Sequence, residues 1–220
     1  KSENLKDENY FKINEFHLDQ HLNFANELKD NRMQNLNTAL HEGGFYLNIK
    51  SDYKFKYPIV IYNYFTGVLK NKIINNSETI TMSKNSDATI IEYLIDESEG
   101  NFFNNTFKYI NLEENASLNY YFINKKESNN FFYEFSKVEL LKNSNFKKYL
   151  FSSGMKFGKF ESNIKLNGMN SCGEVYSGLF LGINNHQEIK TNIQHLKPNC
   201  QSHQDIKNVL ASGSKGVFQG

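Results

Sequence analysis

The chain has 220 residues, a formal net charge of +1 at pH 7 and 39% hydrophobic residues. This length and composition favour one packed domain and argue against a disordered protein. The small net charge gives no electrostatic reason to expect a nucleic-acid partner.

The first predicted element is an amphipathic helix from Tyr10 to about Leu40. Apolar residues recur along it at three- and four-residue spacings, as one buried helix face requires. They include Ala25, Leu28, Met33 and Leu36. Gly43-Gly44 is expected to end the helix, because glycine readily adopts the left-handed conformation of a helix C-terminus. We therefore predict a helical region over residues 1–44 and a β core over residues 45–220.

After the glycines the hydrophobic period becomes two, and β-branched and aromatic residues dominate, which predicts strands. The predicted strands are Tyr46–Ile49, Ile59–Phe65, Thr89–Ile95, Phe107–Leu112, Ser117–Ile123, Phe131–Leu141, Phe146–Phe151, Phe160–Leu166, Glu174–Leu181, Glu188–Leu196 and Gln204–Leu210. Polar or glycine-containing turns are predicted between them at Asp96–Gly100, Glu113–Asn115 and Gly168–Ser171.

Two of these strands alternate cleanly between apolar and polar residues, which indicates one buried and one solvated face. The predicted buried residues are Phe160, Ser162, Ile164 and Leu166 in one strand, and Ile189, Thr191, Ile193 and His195 in the other. Consecutive strands without helices between them leave a sandwich, a barrel or a solenoid. Asn, Ser and Thr recur inside and beside the strands. This favours a β-solenoid, in which similar polar side chains of successive coils stack in ladders.

Two cysteines, Cys172 and Cys200, are too few for a disulfide framework, so we expect a cytoplasmic protein. No apolar run reaches the roughly 18 residues of a transmembrane helix, and no membrane partner is expected. The chain starts at Lys1 without a methionine and stops at Gly220 after a strand-like pair. We expect it to be a fragment of a longer protein.

The tightest group of candidate metal ligands is His195, Cys200 and His203, with His186 upstream. Imidazole and thiolate groups at this spacing suit a soft metal or an iron–sulfur intermediate. The competing interpretation is structural, because His195 lies on an apolar strand face and three ligands do not complete a structural zinc site. Cys172 has no cationic sequence neighbour to activate it and is expected to be inert.

Complete catalytic motifs are missing from the sequence. Asp96, Glu97 and Glu99 lack the spacing of a calcium loop and are expected to be exposed turn charges. The segment Gly154–Lys159 lacks the spacer and the Ser/Thr of a phosphate-binding loop. We predict no catalytic residues, and a scaffold or binding role ranks above an enzyme.

Several segments together resemble the SufB/SufD family, the core scaffold of the SUF iron–sulfur cluster assembly machinery. Three segments follow patterns of this family. They are Leu36–Leu40 followed by Gly43-Gly44, the turn Glu113–Leu118, and the set Gly154, Phe157, Lys159, Leu166 and Gly168. The most specific part is His195, Pro198, Ser202, Lys207, Val209-Leu210, Gly216–Phe218 and Gly220. Lys159 stands where the resemblance leads us to expect Arg, and lysine cannot make the bidentate contact that arginine makes.

The resemblance implies a right-handed parallel β-helix preceded by a short helical region, and it is nearer to SufD than to SufB. It implies association with a SufB-like paralogue and a SufC-like ABC ATPase, with any iron–sulfur cluster held only transiently in the assembled complex. The residues that form the cluster site and dock SufC would lie beyond Gly220. His195 and Ser202 are expected to be an inward His and a turn Ser that hold one coil together. The alternative function is a β-helix enzyme acting on polysaccharide, an analogy at the level of fold.

Overall fold

The computed structural model describes the backbone of residues 11–15 and all of residues 31–220. This part of the chain is a parallel β-solenoid of about 6 turns with one short helix, which confirms the predicted fold class. Its elements are β1 Phe11–Glu15, α1 Arg32–Leu40, β2 Gly43–Ile49, β3 Ile59–Val68, β4 Ile73–Met82, β5 Asp87–Glu99, β6 Phe103–Leu112, β7 Ser117–Asn124, β8 Ser128–Leu140, β9 Asn145–Ser152, β10 Met155–Leu166, β11 Cys172–Leu181, β12 His186–His195, β13 Gln201–Leu210 and β14 Lys215–Gln219.

The strands form two sheets that face each other across the core. The first sheet has the order β1-β2-β4-β6-β8-β10-β12-β14, and the second has the order β13-β11-β9-β7-β5-β3. Neighbouring strands run parallel throughout, except that β1 pairs antiparallel with β2. Each coil therefore contributes one strand to each sheet and hydrogen-bonds to the coils before and after it.

Helix α1 lies across the outer face of the first sheet. Asn31 caps its N-terminus, since its Oδ1 accepts from the backbone N of Met33 and of Gln34, both at 3.1 Å. The buried Asn37 Nδ2 donates to the carbonyl oxygens of Asn76 at 2.8 Å and Asn105 at 2.7 Å. These two bonds attach the helix to β4 and β6.

The long N-terminal helix was predicted wrongly at its start. Residues Phe11–Glu15 form β1, whereas Arg32–Leu40 are helical as predicted, and residues 16–30 lie outside the described part. Gly43-Gly44 do not end the helix but begin β2. Gly44 has φ +146°, and a Cβ there would lie 1.6 Å from the Ser77 carbonyl oxygen, so glycine permits the close approach of β4. The division at residues 44 and 45 stays a prediction.

The structure differs from the predicted strands in two further segments, both of which are rich in polar residues. Strand β4 was missed because Asn75, Ser77, Glu78 and Thr79 are polar and yet buried, so the segment lacks the expected alternation. Residues Asp96–Glu99 continue β5 and are not a turn. Asp96 accepts hydrogen bonds from Ser128 Oγ, Asn130 Nδ2 and Ser98, and these bonds outweigh burial and lower its pKa.

Asparagines stack along one corner of the solenoid, as the ladder prediction requires. Six residues there have left-handed φ between 56° and 65°: Asp52, Asn85, Asn115, Asn143, Asn170 and Asn199. From Asn85 to Asn170, each side-chain Nδ2 donates to the Oδ1 of the preceding member at 2.7–3.1 Å. Asparagine suits this corner because it tolerates the left-handed conformation and its amide both donates and accepts.

The core between the sheets is built from rows of like residues. Strand register aligns Ile80, Ile110, Val138, Ile164 and Ile193 in one row. A second row aligns Met82, Leu112, Leu140, Leu166 and His195. The predicted burial of β10 is confirmed, whereas in β12 Ile189 and Thr191 are buried, Ile193 is half-buried and His195 is exposed.

We expect Asn115→Ala to lower the free energy of unfolding by about 1–3 kcal/mol, because it removes ladder hydrogen bonds and places alanine at positive φ. Asn115→Gly should recover the conformational part of this loss but not the hydrogen-bonded part. Urea denaturation measures both. Asn145→Ala, at the exposed start of β9, is the control and should change little; an equal loss there would contradict the role of the ladder.

Candidate functional site

The three candidate metal ligands do not converge in the structure. His195 Nε2 lies 3.0 Å from Ser202 Oγ, and both residues are exposed. His203 is outward on β13, where its ring lies 5.6 Å from that of Tyr176. Among the described residues, no group of three His, Cys, Asp or Glu side chains has a metal-binding arrangement. The prediction of an inward His and a turn Ser is wrong in two respects, because His195 is exposed and Ser202 belongs to strand β13.

Cys200 occupies a repeated structural position. In successive coils the residue after the corner asparagine is Ser86, Ala116, Ser144, Ser171 and then Cys200. The three serine hydroxyls each donate to a carbonyl oxygen in their own turn, at 2.6–2.8 Å. Cys200 Sγ lies 3.3 Å from the Gly168 carbonyl oxygen and 3.4 Å from Ser171 Oγ. Its surroundings are those of a small corner residue.

Cys172 begins β11, with its Sγ 3.5 Å from Glu174 Oε1. Burial first, and then the Glu174 carboxylate, raise the pKa of the Cys172 thiol. A raised pKa lowers the thiolate fraction near neutral pH, so the geometry supports the predicted lack of activation.

The most concentrated chemistry lies inside the solenoid and was not predicted. Five ionisable side chains, each at most 5% exposed, meet between the sheets: Glu78, Glu92, Lys108, Glu134 and Lys148. We call them the buried charge cluster. Burying charges this completely is costly unless they are paired and hydrogen-bonded.

Lys108 is the centre of the buried charge cluster. Its Nζ lies 3.0 Å from Glu78 Oε2 and 3.2 Å from Glu134 Oε2, contacts Glu92, and donates to the Tyr120 hydroxyl at 2.7 Å. Lys148 Nζ donates to Glu134 Oε1 at 2.8 Å, and also to Ser136 Oγ and Ser162 Oγ. Glu134 therefore has two ammonium partners, whereas Glu78 and Glu92 depend on Lys108 alone.

Strand register brings these residues together. Glu78, Lys108, Ser136, Ser162 and Thr191 occupy equivalent positions in β4, β6, β8, β10 and β12. Glu92, Tyr120 and Lys148 enter from the facing sheet. The sequence did contain a signal: Glu78, Lys108 and Ser136 each precede a corner asparagine by the same number of residues. Aligning the coils on those asparagines would have predicted the row.

The environment perturbs the pKa values of the cluster in opposite directions. Burial raises the pKa of Glu78, and it raises that of Glu92 to about 8 against the attraction of Lys108. Burial also opposes ionisation of Glu134, but Lys108 and Lys148 outweigh it and lower the pKa to about 2. For Lys108, attraction to the three carboxylates outweighs burial and raises the pKa.

Polar side chains also follow the cluster in the later coils. Ser136 Oγ and Ser162 Oγ lie 2.9 Å apart, and further along Thr191 Oγ1 contacts Gln204 Oε1. Glu92 and Glu134 also border a cavity of about 20 Å³, room for about one water molecule.

On the outside, a groove of about 740 Å³ lies beside the start of α1, and Arg32, Tyr133, Phe157, Lys159 and Glu161 are among its lining residues. Lys159 Nζ is 3.0 Å from Glu161 Oε1 and 3.5 Å from Glu188 Oε2. The Lys159 ammonium makes one contact to each of two carboxylates. The side chain therefore links β10 to β12 and gives no bidentate grip on a single partner.

The fold and the matching region of sequence decide the family. A family model described as "SUF system FeS cluster assembly, SufBD core domain" matches residues 65–220, more than half of the chain. The chain belongs to this SufB/SufD family. Its SufBD core domain supports a role in iron–sulfur cluster assembly by the SUF system. A search of curated proteins gave no match. All five members of the buried charge cluster lie within the residues that match this SufBD core domain.

No described helix of this SufBD chain is long and apolar enough to span a bilayer. Its concentrated charges are buried between the sheets, where each carboxylate contacts at least one ammonium group and Glu78 Oε2 accepts no hydrogen bond from a described residue. Such an arrangement can fix strand register and hold a proton. None of the five side chains of the buried charge cluster is exposed at the surface, where a substrate could reach it.

We expect Lys108→Met to lower the free energy of unfolding at pH 7 by about 3–5 kcal/mol, because three buried carboxylates lose their shared counter-charge. The loss should shrink towards pH 5, where the carboxylates of the variant can take up protons. Urea denaturation at both pH values measures this. Lys84→Met, which breaks a surface pair with Glu114, is the control and should have little effect at either pH. Equal effects at the two positions would contradict a charge-balancing role for Lys108.

We expect Cys200→Ser to change stability by less than about 1 kcal/mol, because serine occupies this corner position in other coils. After anaerobic reconstitution with iron and sulfide, its visible absorbance should equal that of the wild type. Cys200→Leu should instead cost about 1–3 kcal/mol by overfilling the corner. A loss of absorbance in Cys200→Ser, with folding intact, would show that Cys200 is a ligand.

Proposed function

We propose that this chain is a SufD-like, cytoplasmic scaffold subunit of the SUF complex, which acts with a SufB-like paralogue and a SufC-like ABC ATPase. The observation that carries the proposal is the match of the SufBD core domain to residues 65–220, the region that forms most of the solenoid. The segment Leu36–Leu40 followed by Gly43-Gly44, which resembles the corresponding part of SufD, supports the SufD-like assignment. An iron–sulfur cluster would be the cargo of the assembled complex and would not be held firmly by this chain.

The physical character of the solenoid supports a scaffold and not an enzyme. Long in-register ladders and a filled core give a rigid body, and the strongest ionic contacts are buried, where a substrate cannot reach them. A polysaccharide-cleaving enzyme needs two carboxylates facing each other across an exposed groove. Glu161 is the carboxylate that lines the groove beside α1, and it contacts Lys159, as does the neighbouring Glu188. This arrangement does not favour that alternative.

The test is co-expression of the full-length tagged protein with a SUF-type ABC ATPase and a SufB-like paralogue from the same source. We expect all three to co-elute in one complex, with ATP hydrolysis contributed by the ATPase and none by the tagged chain alone. An unrelated tagged β-solenoid is the control for nonspecific capture. A folded chain that elutes alone, with both candidate partners present and soluble, would contradict the proposal.

A further inference from the structure

The buried charge cluster has one more carboxylate than it has ammonium groups. The groups that face it are Glu78 from β4, Glu92 from β5, Lys108 from β6, the Tyr120 phenol from β7, Glu134 from β8 and Lys148 from β9. If all three carboxylates and both lysines were ionised, a net charge of about −1 would remain in the dry core. An unbalanced buried charge is strongly unfavourable, and a carboxyl group usually neutralises itself by retaining a proton.

The contacts indicate where that proton resides. Glu134 is held by both Lys108 and Lys148, so it is the carboxylate best able to stay ionised. Glu78 and Glu92 share Lys108 alone. Asn63 Nδ2 donates to Glu92 Oε1 at 2.6 Å, and rotation of this amide by 180° would present its oxygen to a protonated carboxyl group.

We propose that the buried charge cluster holds one resident proton on the Glu78 and Glu92 pair, and that release of this proton loosens the coils from β4 to β9. Because the two carboxylates titrate together, the proton belongs to the pair and not to either residue alone. The proposal does not depend on the SUF role, since it follows from charge balance in the core.

The direction of the pH effect follows from the raised pKa of Glu92. Burial raises that pKa from 4.5 to about 8, so the folded chain binds the proton more tightly than the unfolded chain does. The associated stability is complete below pH 4.5 and is lost as the pH rises towards 8. Glu134 acts in the opposite direction, but its contribution is lost only as the pH falls from 4.5 towards 2. The two effects occupy separate pH ranges.

The experiment compares urea unfolding of the wild type, Glu92→Gln and Glu78→Gln from pH 6 to pH 9. Each substitution removes one negative charge and leaves a balanced cluster, so the pH dependence should flatten in both variants. The wild-type unfolding constant should rise at least about tenfold more than theirs over this range, since one pKa unit corresponds to a tenfold change. Glu97→Gln, an exposed position in the same strand as Glu92, is the matched control and should follow the wild type. Parallel pH profiles for the wild type and both cluster variants would overturn the proposal.

A second measurement applies even if the variants do not fold. The infrared spectrum of the wild type at pH 7 should contain the carbonyl band of a buried carboxylic acid, and this band should disappear by pH 9. Its absence at pH 7 would overturn the proposal. Stability at pH 7 should also be the same in sodium chloride and in choline chloride of equal ionic strength. A specific dependence on sodium would mean that a metal cation, and not a proton, balances the cluster.

Discussion

Parallel stacking of the coils is the constraint on which the rest of this structure depends. Each strand hydrogen-bonds to the equivalent strand of the next coil, so every side chain lies directly against its equivalents before and after it. Whatever occupies one position must therefore be compatible with a column of neighbours. Branched aliphatic residues satisfy this requirement in the row from Ile80 to Ile164, and asparagines satisfy it at the corner.

Charged residues meet the same constraint by lying beside an opposite charge or a neutral polar residue. Glu78 lies opposite Lys108 in the adjacent strand, and Lys108 in turn lies opposite the neutral Ser136. Replacing these ions by apolar residues would avoid their desolvation, so their presence is weak evidence for stability. They favour the observed register, because a shift of β6 by two residues would place Lys108 opposite Asn76 or Ile80 instead of Glu78.

Much of the fold was accessible from the sequence, because a period of two identifies strands and repeated asparagines identify stacked corners. Ten-residue strands such as β11 and β12 were found almost at their full length. Strand β4 was not, because a polar residue is read as solvent-exposed when its buried partner lies a whole coil away. The prediction that Asp96 is an exposed turn charge was wrong for the same reason. Its hydrogen-bond donors Ser128 and Asn130 belong to β8, so the sequence next to Asp96 contains only a run of acidic residues.

In the candidate site, the position of a residue in its coil determines its environment more than its chemical type does. Histidine and cysteine suggested chemistry near the end of the chain, but His195 extends an aliphatic row and Cys200 takes a corner that serine fills elsewhere. Lys108 and Glu134 were not predicted as site residues, because lysine and glutamate are common and are usually exposed. In a stacked fold, the coil position of a residue decides whether its side chain is solvated, packed or ionically paired. The type of a residue becomes informative only after the coils have been aligned. In this chain the alignment identifies the buried charges of the core, and not the histidines near the end of the chain, as the unusual residues.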